Sequence, residues 1–156
     1  MIIPELPNHS RVWIFGSNRL LESHEKEALG QLMDEFVSDW KAHGASITAS
    51  YTLIHDSILI VAVDESVTPP SGCSIDKVFK LLTAFQVDFL QRMLIWQPFC
   101  NTSKIFTLIE AKEALEAKII DLETMVINSL VSSLGEARER LYVPLKESWA
   151  WGKIQK

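Results

Sequence analysis

The segment Ser71-Gly72-Cys73-Ser74-Ile75-Asp76 places a thiol and two hydroxyls just before an apolar run that predicts a helix. The dipole at a helix N-terminus favours the thiolate, so Cys73 is a candidate nucleophile for a thiol-dependent enzyme or redox protein. Gly72 leaves room for a ligand, and Ser71 and Ser74 supply hydrogen-bonding groups. The same spacing also suits a helix cap, and this alternative needs no chemistry. No catalytic residue is therefore assigned.

A cysteine nucleophile needs a general base, and the four histidines are the first residues to consider. His9 and His55 are predicted at the sheet edge opposite Cys73, and His43 at a helix end. His24 falls in the first turn of a predicted helix, on the same edge as Cys73. It is the one histidine that we would test, and a solvated surface residue is the simpler interpretation.

A second group of polar residues follows two predicted strands. Ser17-Asn18-Arg19 comes after the first strand and Asp64-Glu65 after the third. These two strands are predicted to lie side by side and parallel at the sheet centre. Their carboxyl ends and both helix N-termini would then share one edge, where ligands of open α/β sheets often bind. The candidate ligand-binding residues are Ser17, Asn18, Arg19, Asp64, Glu65, Ser71, Gly72, Cys73 and Ser74.

The elements that would position these residues follow from the apolar spacing. Residues 11–15 are a β-branched and aromatic run that predicts a buried strand, and residues 23–43 repeat apolar side chains at helical spacing. Ser23 is the predicted cap of this helix, and Gly44 its end. Residues 47–54 and 58–63 predict a hairpin whose second strand, apolar throughout, is central. A second helix follows the loop 64–72, and then a short strand at 93–96.

The order strand, helix, strand, strand, helix, strand predicts an α+β fold with a ferredoxin-like (split βαβ) core over about residues 9–97. Both helices should cover one sheet face. A C-terminal hairpin and helical extension, about residues 98–156, should cover the other face. We expect one domain over 1–156, with a strand at 104–109 pairing with 93–96, helices at 110–118 and 133–141, and a Trp-rich tail. Residues 122–131 suit strand or helix equally.

Composition excludes several classes of function. The 156 residues carry a net charge of −5 with scattered Lys and Arg, so neither nucleic acid nor an anionic membrane is an expected partner. The longest apolar run is too short to span a bilayer, and we expect a cytoplasmic protein with Cys73 and Cys100 reduced. No chelating pair of cysteines or histidines is present, so no metal or other cofactor is predicted.

Four segments resemble a family of short bacterial proteins that are often labelled as ABC transporter ATPases. They are residues 11–15, 62–65, Ser71-Gly72-Cys73-Ser74-Ile75-Asp76 and Val143-Pro144-Leu145-Lys146-Glu147-Ser148-Trp149. The resemblance spans nearly the whole chain and assigns no catalytic residues. A P-loop needs Gly, four residues, then Gly-Lys-Ser or Gly-Lys-Thr. The one Gly-Lys, at 152–153, precedes Ile154, so ATPase activity is not expected.

Three functions are compatible with these observations. The leading one is a non-enzymatic domain that binds a small ligand or a protein partner through its sheet edge or its Trp-rich tail. The second is a thiol-dependent activity at Cys73. The third is a structural subunit whose apolar surface is buried in a homo-oligomer.

Overall fold

The structure is a computed structural model that describes residues 1–98 and 103–156. It contains both helices and antiparallel sheets, which confirms the α+β class. Cys73 is a free thiol, and the prediction for Cys100 falls outside the described residues. The strands are β1 (Arg11–Gly16), β2 (Lys41–Ala42), β3 (Ala45–Ser46), β4 (Ala49–Ile54), β5 (Ile58–Val63), β6 (Leu94–Gln97), β7 (Lys104–Thr107), β8 (Met125–Ile127) and β9 (Tyr142–Pro144). The helices are α1 (Ser23–Asp39), α2 (Gly72–Thr83), α3 (Leu108–Glu116), α4 (Leu134–Arg140) and α5 (Trp149–Ile154).

The largest sheet in the described chain has the order β1-β5-β4. β5 is buried at every position, because each of its side chains is apolar and both sheet faces are covered. β4 and β5 form the hairpin predicted at 47–54 and 58–63, with Ala49 opposite Val63. The prediction that β5 is central and β4 nearer an edge is confirmed.

The predicted parallel pairing of the first and third strands is wrong. β1 and β5 are neighbours, but they run antiparallel, with Arg11 opposite Val63 and Gly16 opposite Ile58. The reason is the direction of the chain. The crossover through α1 makes β4 parallel to β1, and the tight turn at residues 55–57 then reverses β5. β1 is consequently an edge strand and not a central one.

The four-stranded ferredoxin-like sheet is not confirmed either. The strand predicted at 93–96 is β6, and it pairs with β7 in a separate sheet, as the predicted hairpin with residues 104–109 requires. Within residues 1–98 and 103–156, the β1-β5-β4 sheet therefore has three strands. The ambiguous segment 122–131 contains β8, which pairs with β9.

Both helices cover one face of the β1-β5-β4 sheet, as predicted. Leu29 and Met33 of α1 and Val78 and Leu82 of α2 pack on one face. The other face packs against β6, against β8 and α4 of the C-terminal extension, and against the N-terminal segment. The Trp-rich tail, which was expected to cover this face, instead places Trp149 and Trp151 against a third apolar cluster with α3.

The first helix differs at both ends from its prediction. Its cap residue is Glu22 and not Ser23, and the Glu25 carboxylate accepts the Glu22 backbone N–H at 3.0 Å. The helix ends at Asp39, because Trp40 is extended and its indole donates to the Ser74 carbonyl at 3.0 Å. Gly44, at φ +81°, forms the turn of the β2–β3 hairpin instead of ending the helix.

Candidate functional site

The residues predicted at one edge are divided between the two ends of β1. Because β5 runs antiparallel, Asp64 and Glu65 follow the residue paired with Arg11, at the start of β1. Ser17-Asn18-Arg19 lies at the other end, beside the turn at 55–57. Six residues of extended chain separate these ends by about 20 Å. The structure therefore does not bring these residues into one neighbourhood. Ligand binding by the individual residues stays a prediction.

At the start of β1, the acidic residues both have polar side-chain partners. Asp64 accepts hydrogen bonds from Ser66 and lies 3.1 Å from the His9 ring nitrogen, and these contacts lower the pKa of Asp64, with Ser66 the main cause. Glu65 lies 3.5 Å from Arg11. Because β1 and β5 are antiparallel, His9 lies beside Asp64. The sequence predicted His9 at the sheet edge opposite the loop 64–72. No described group of three His, Cys, Asp or Glu residues could hold a metal ion.

At the other end, Arg19 has a structural partner. Its guanidinium donates to both carboxylate oxygens of Glu25, at 2.8 and 2.7 Å. These bonds, together with the N–H of Glu22, lower the pKa of the Glu25 carboxyl to about 2. Ser17 is buried, and its hydroxyl donates to the Arg19 carbonyl at 2.6 Å. These contacts fix the start of α1.

The segment around Cys73 is a helix cap. Ser71 caps α2, its hydroxyl accepting the Ser74 N–H at 3.1 Å while the Ser74 hydroxyl accepts the Ser71 N–H at 2.6 Å. Cys73 is exposed, and the space around Gly72 is open. In the described chain no hydrogen bond joins Cys73 to a histidine. His24, the candidate base, lies instead 3.4 Å from the Glu22 carboxylate.

A groove that the sequence did not predict runs along the outer edge of β1. Its volume is about 470 Å³. Its lining combines β1, α2, the segment after α2, β6, the segment after β8 and the start of α5. The lining residues are Val12, Trp13, Ile14, Phe15, Gly16, Phe79, Phe89, Leu90, Gln91, Arg92, Met93, Leu94, Trp96, Ser129, Leu130, Val131 and Trp149.

Within residues 1–98 and 103–156, the backbone of β1 faces this groove without a neighbouring strand. The Val12 N–H donates outward to Ser132 at 3.0 Å, and the Ser17 N–H donates inward to Ser57 at 2.7 Å. Because the direction alternates along a strand, the N–H groups of Ile14 and Gly16 also point outward. Neither has a hydrogen-bond partner in the part of the chain that the structure describes. The open edge is bounded at one end by Ser132 and at the other by residue 88, whose carbonyl accepts the Asn18 N–H.

Trp96 closes one part of the groove against Gly16. Its indole N–H donates to the Ser17 carbonyl at 2.8 Å. A Cβ atom on Gly16 would lie 2.2 Å from the Trp96 ring, so only glycine permits this contact. Trp96 itself is buried, which fixes β6 close to β1 although the two strands do not pair.

Large apolar side chains are exposed around the groove. Phe79 is 41% exposed, Met93 50% and Leu130 67%. Exposed apolar residues that share one surface are typical of a binding site, whereas single ones are common on any protein. Among the described lining residues, Arg92 is the one charged side chain and Ser129 the one side-chain hydroxyl. The described lining residues supply no carboxylate, imidazole or thiol that could act as a general base.

Sequence reasoning missed the groove because its lining residues are spread over residues 12–149. One signal was available. Val78 and Phe79 are adjacent in α2, and adjacent helical side chains point about 100° apart, so one can be buried while the other reaches a different surface. Val78 is buried in the core, and Phe79 turns to the groove, with its ring centroid 5.5 Å from that of Phe15.

Comparison with protein-family models, with curated proteins and with solved structures finds no match to this chain. The family resemblance of the motifs at 71–76 and 143–149 therefore stays a prediction. Across the described residues, no helix combines the length and the apolar character that crossing a membrane requires.

Proposed function

We propose that this chain is a non-enzymatic binding domain and that the groove on the open edge of β1 holds its ligand. The observation that carries the proposal is the combination of exposed apolar walls with unpaired backbone N–H groups in one concave surface. Its volume of about 470 Å³ is in the range of ligand pockets. The cytoplasmic location predicted from composition belongs to this proposal.

The chemistry of the lining favours binding over catalysis. A catalytic site needs a nucleophile or a proton acceptor within hydrogen-bonding distance of the substrate. Among its described lining residues the groove offers one cation, one serine hydroxyl, the Gln91 amide and apolar surface. Arg92 would attract an anionic group on the ligand, and the apolar walls would bury the remainder.

A dye that is both apolar and anionic tests this proposal. 1-Anilinonaphthalene-8-sulfonate should bind in the groove and fluoresce. Met93→Asp and Leu130→Asp each place a carboxylate at the groove wall, and each should lower the dye affinity by about tenfold, because about 1.4 kcal/mol of apolar contact is lost.

Ile109→Asp and Ile119→Asp are the matched controls. These residues are 72% and 65% exposed but do not line the groove, so dye affinity should stay unchanged in both variants. Thermal unfolding establishes that all four proteins are folded. Equal dye binding by the groove variants and the controls would contradict the proposal.

A further inference from the structure

We infer that the groove takes an extended peptide segment of a partner protein, which adds to the sheet as a strand antiparallel to β1. This inference rests on the proposed function and names its class of ligand. Addition of a strand to an exposed sheet edge is a known mode of peptide recognition, in which backbone hydrogen bonds supply affinity and side-chain pockets supply specificity.

The topology favours a strand at this position. β1, α1 and β4 form one crossover unit, with β5 inserted between its strands. β5 and α2 begin a second unit, whose closing strand would run parallel to β5 and would lie beside β1. The described chain does not supply that strand, because residues 89–94 line the groove and β6 pairs with β7.

The hydrogen-bonding groups of β1 define the direction and length of the added strand. Ser10 and Val12 already pair with residues 132–134 in the antiparallel sense, at the isolated bridge between Arg11 and Ser133. A peptide that continues this pairing would accept from the Ile14 N–H and donate to the Val12 and Ile14 carbonyls. The edge from Val12 to Gly16 is about 13 Å long, which four or five extended residues can cover.

The groove walls define the composition of the peptide. Phe79 and Phe89 line it on the side of α1 and α2, and Trp96 and Val131 line it on the side of the C-terminal extension. An added strand would therefore be covered on both faces, as β5 is. Strands of this kind are apolar at consecutive positions instead of alternating.

The charge of the groove adds one requirement. Arg92 is exposed and is the one charged residue among the described residues that line the groove. No described carboxylate lies within ion-pairing distance of Arg92. A glutamate or aspartate in the peptide would supply the matching charge. The partner segment is therefore β-branched or aromatic at most positions, with one acidic residue.

Capped hexapeptides of Val, Ile and Thr with one Glu, labelled with fluorescein through a Gly-Ser linker, test the inference by fluorescence polarisation. Each backbone amide is N-methylated in turn. Strand pairing predicts that methylation of every second amide weakens binding about tenfold or more, since a hydrogen bond to β1 is lost, and that the intervening positions tolerate it.

Arg92→Glu tests the charge requirement. The wild-type protein should prefer a peptide with Glu, and this variant should prefer the same peptide with Lys in place of Glu. The control Lys153→Glu on α5 should still prefer the peptide with Glu. Dye binding that persists in the groove without any alternation in the N-methyl series would overturn strand pairing and leave the proposed function intact. Sedimentation that shows a dimer competed apart by the dye would replace the partner peptide with a second copy of this chain.

Discussion

The two edges of the β1-β5-β4 sheet expose the same backbone groups in different surroundings. On β4, the Thr48 carbonyl accepts the Asp64 N–H, so the N–H groups of Ala49, Tyr51 and Leu53 point outward, as that of Ile14 does on β1. None of these four has a hydrogen-bond partner in the described chain. Both edges therefore have backbone N–H groups without a partner, and they differ in the side chains that surround them.

Acidic side chains lie beside the β4 edge. Glu5 accepts a hydrogen bond from Ser50, and Asp34 accepts one from the Tyr51 hydroxyl at 2.6 Å. Charged groups beside an edge strand discourage the addition of another strand. The β1 edge has apolar walls and a single cation, Arg92, among its described lining residues. A cavity of about 410 Å³ also borders β4, and its lining includes Glu5. The two edges therefore differ in the charge beside them, and free N–H groups alone do not make an edge a candidate binding site.

The largest effect is expected where β1 meets Trp96. Gly16→Val places side-chain atoms in the space of the Trp96 ring, since even a Cβ atom would lie 2.2 Å from it. Overpacking of this kind should lower the free energy of unfolding by about 3 kcal/mol and abolish dye binding. Urea unfolding measures the loss. Gly152→Ala is the control, because nothing lies within 4 Å of its added Cβ, and it should be neutral or slightly stabilising.

A smaller effect is expected from the ion pair next to β1. The Arg19 guanidinium and the Glu22 N–H hold the pKa of Glu25 at about 2, below its ordinary value of 4.5. A lowered carboxyl pKa stabilises the fold above the unfolded pKa, and this contribution is lost as the pH falls from about 4.5 towards 2. Glu25→Gln should therefore lower Tm at pH 7 and flatten the acid side of the Tm profile. An unchanged slope between pH 5 and pH 2.5 would contradict the assignment.

On the β4 edge, Tyr51→Phe removes one hydroxyl. This hydroxyl donates to Asp34, and it lies 3.0 Å from the Gly30 carbonyl. Its partners remain accessible to water, so the free energy of unfolding should fall by about 1 kcal/mol. Dye binding should not change, since Tyr51 does not line the β1 groove. Reduced dye binding in this variant would mean that the two edges are not independent.

The smallest effect is expected at Cys73. It is exposed at the start of α2, outside the groove, so Cys73→Ser should change stability by less than about 0.5 kcal/mol and leave dye affinity unaltered. A large loss of binding after substitution or alkylation would favour the thiol-dependent alternative over the groove.

Local patterns in the sequence predict the elements well, but they do not predict how distant strands pair. The apolar run Ile58–Val63, the hairpin that contains it and a serine cap of α2, at Ser71 or Ser74, all follow from adjacent residues. The direction of β1 relative to β5 depends on the number of chain reversals between them, which adjacent residues do not reveal. β6 pairs with β7 because closing a short loop costs less entropy than pairing with the distant β1. The predicted site depended on these long-range pairings, so its residues were placed together wrongly.

Amide hydrogen exchange by NMR tests the central claim most directly. With the Val, Ile, Thr and Glu peptide at saturation, exchange at Ile14 should slow by about tenfold or more, because its N–H gains an acceptor. The outward amides of Tyr51 and Leu53 should exchange at the same rate with and without peptide. Slower exchange at β4, or an unchanged rate at Ile14 in a protein that still binds the peptide, would contradict binding at the β1 edge.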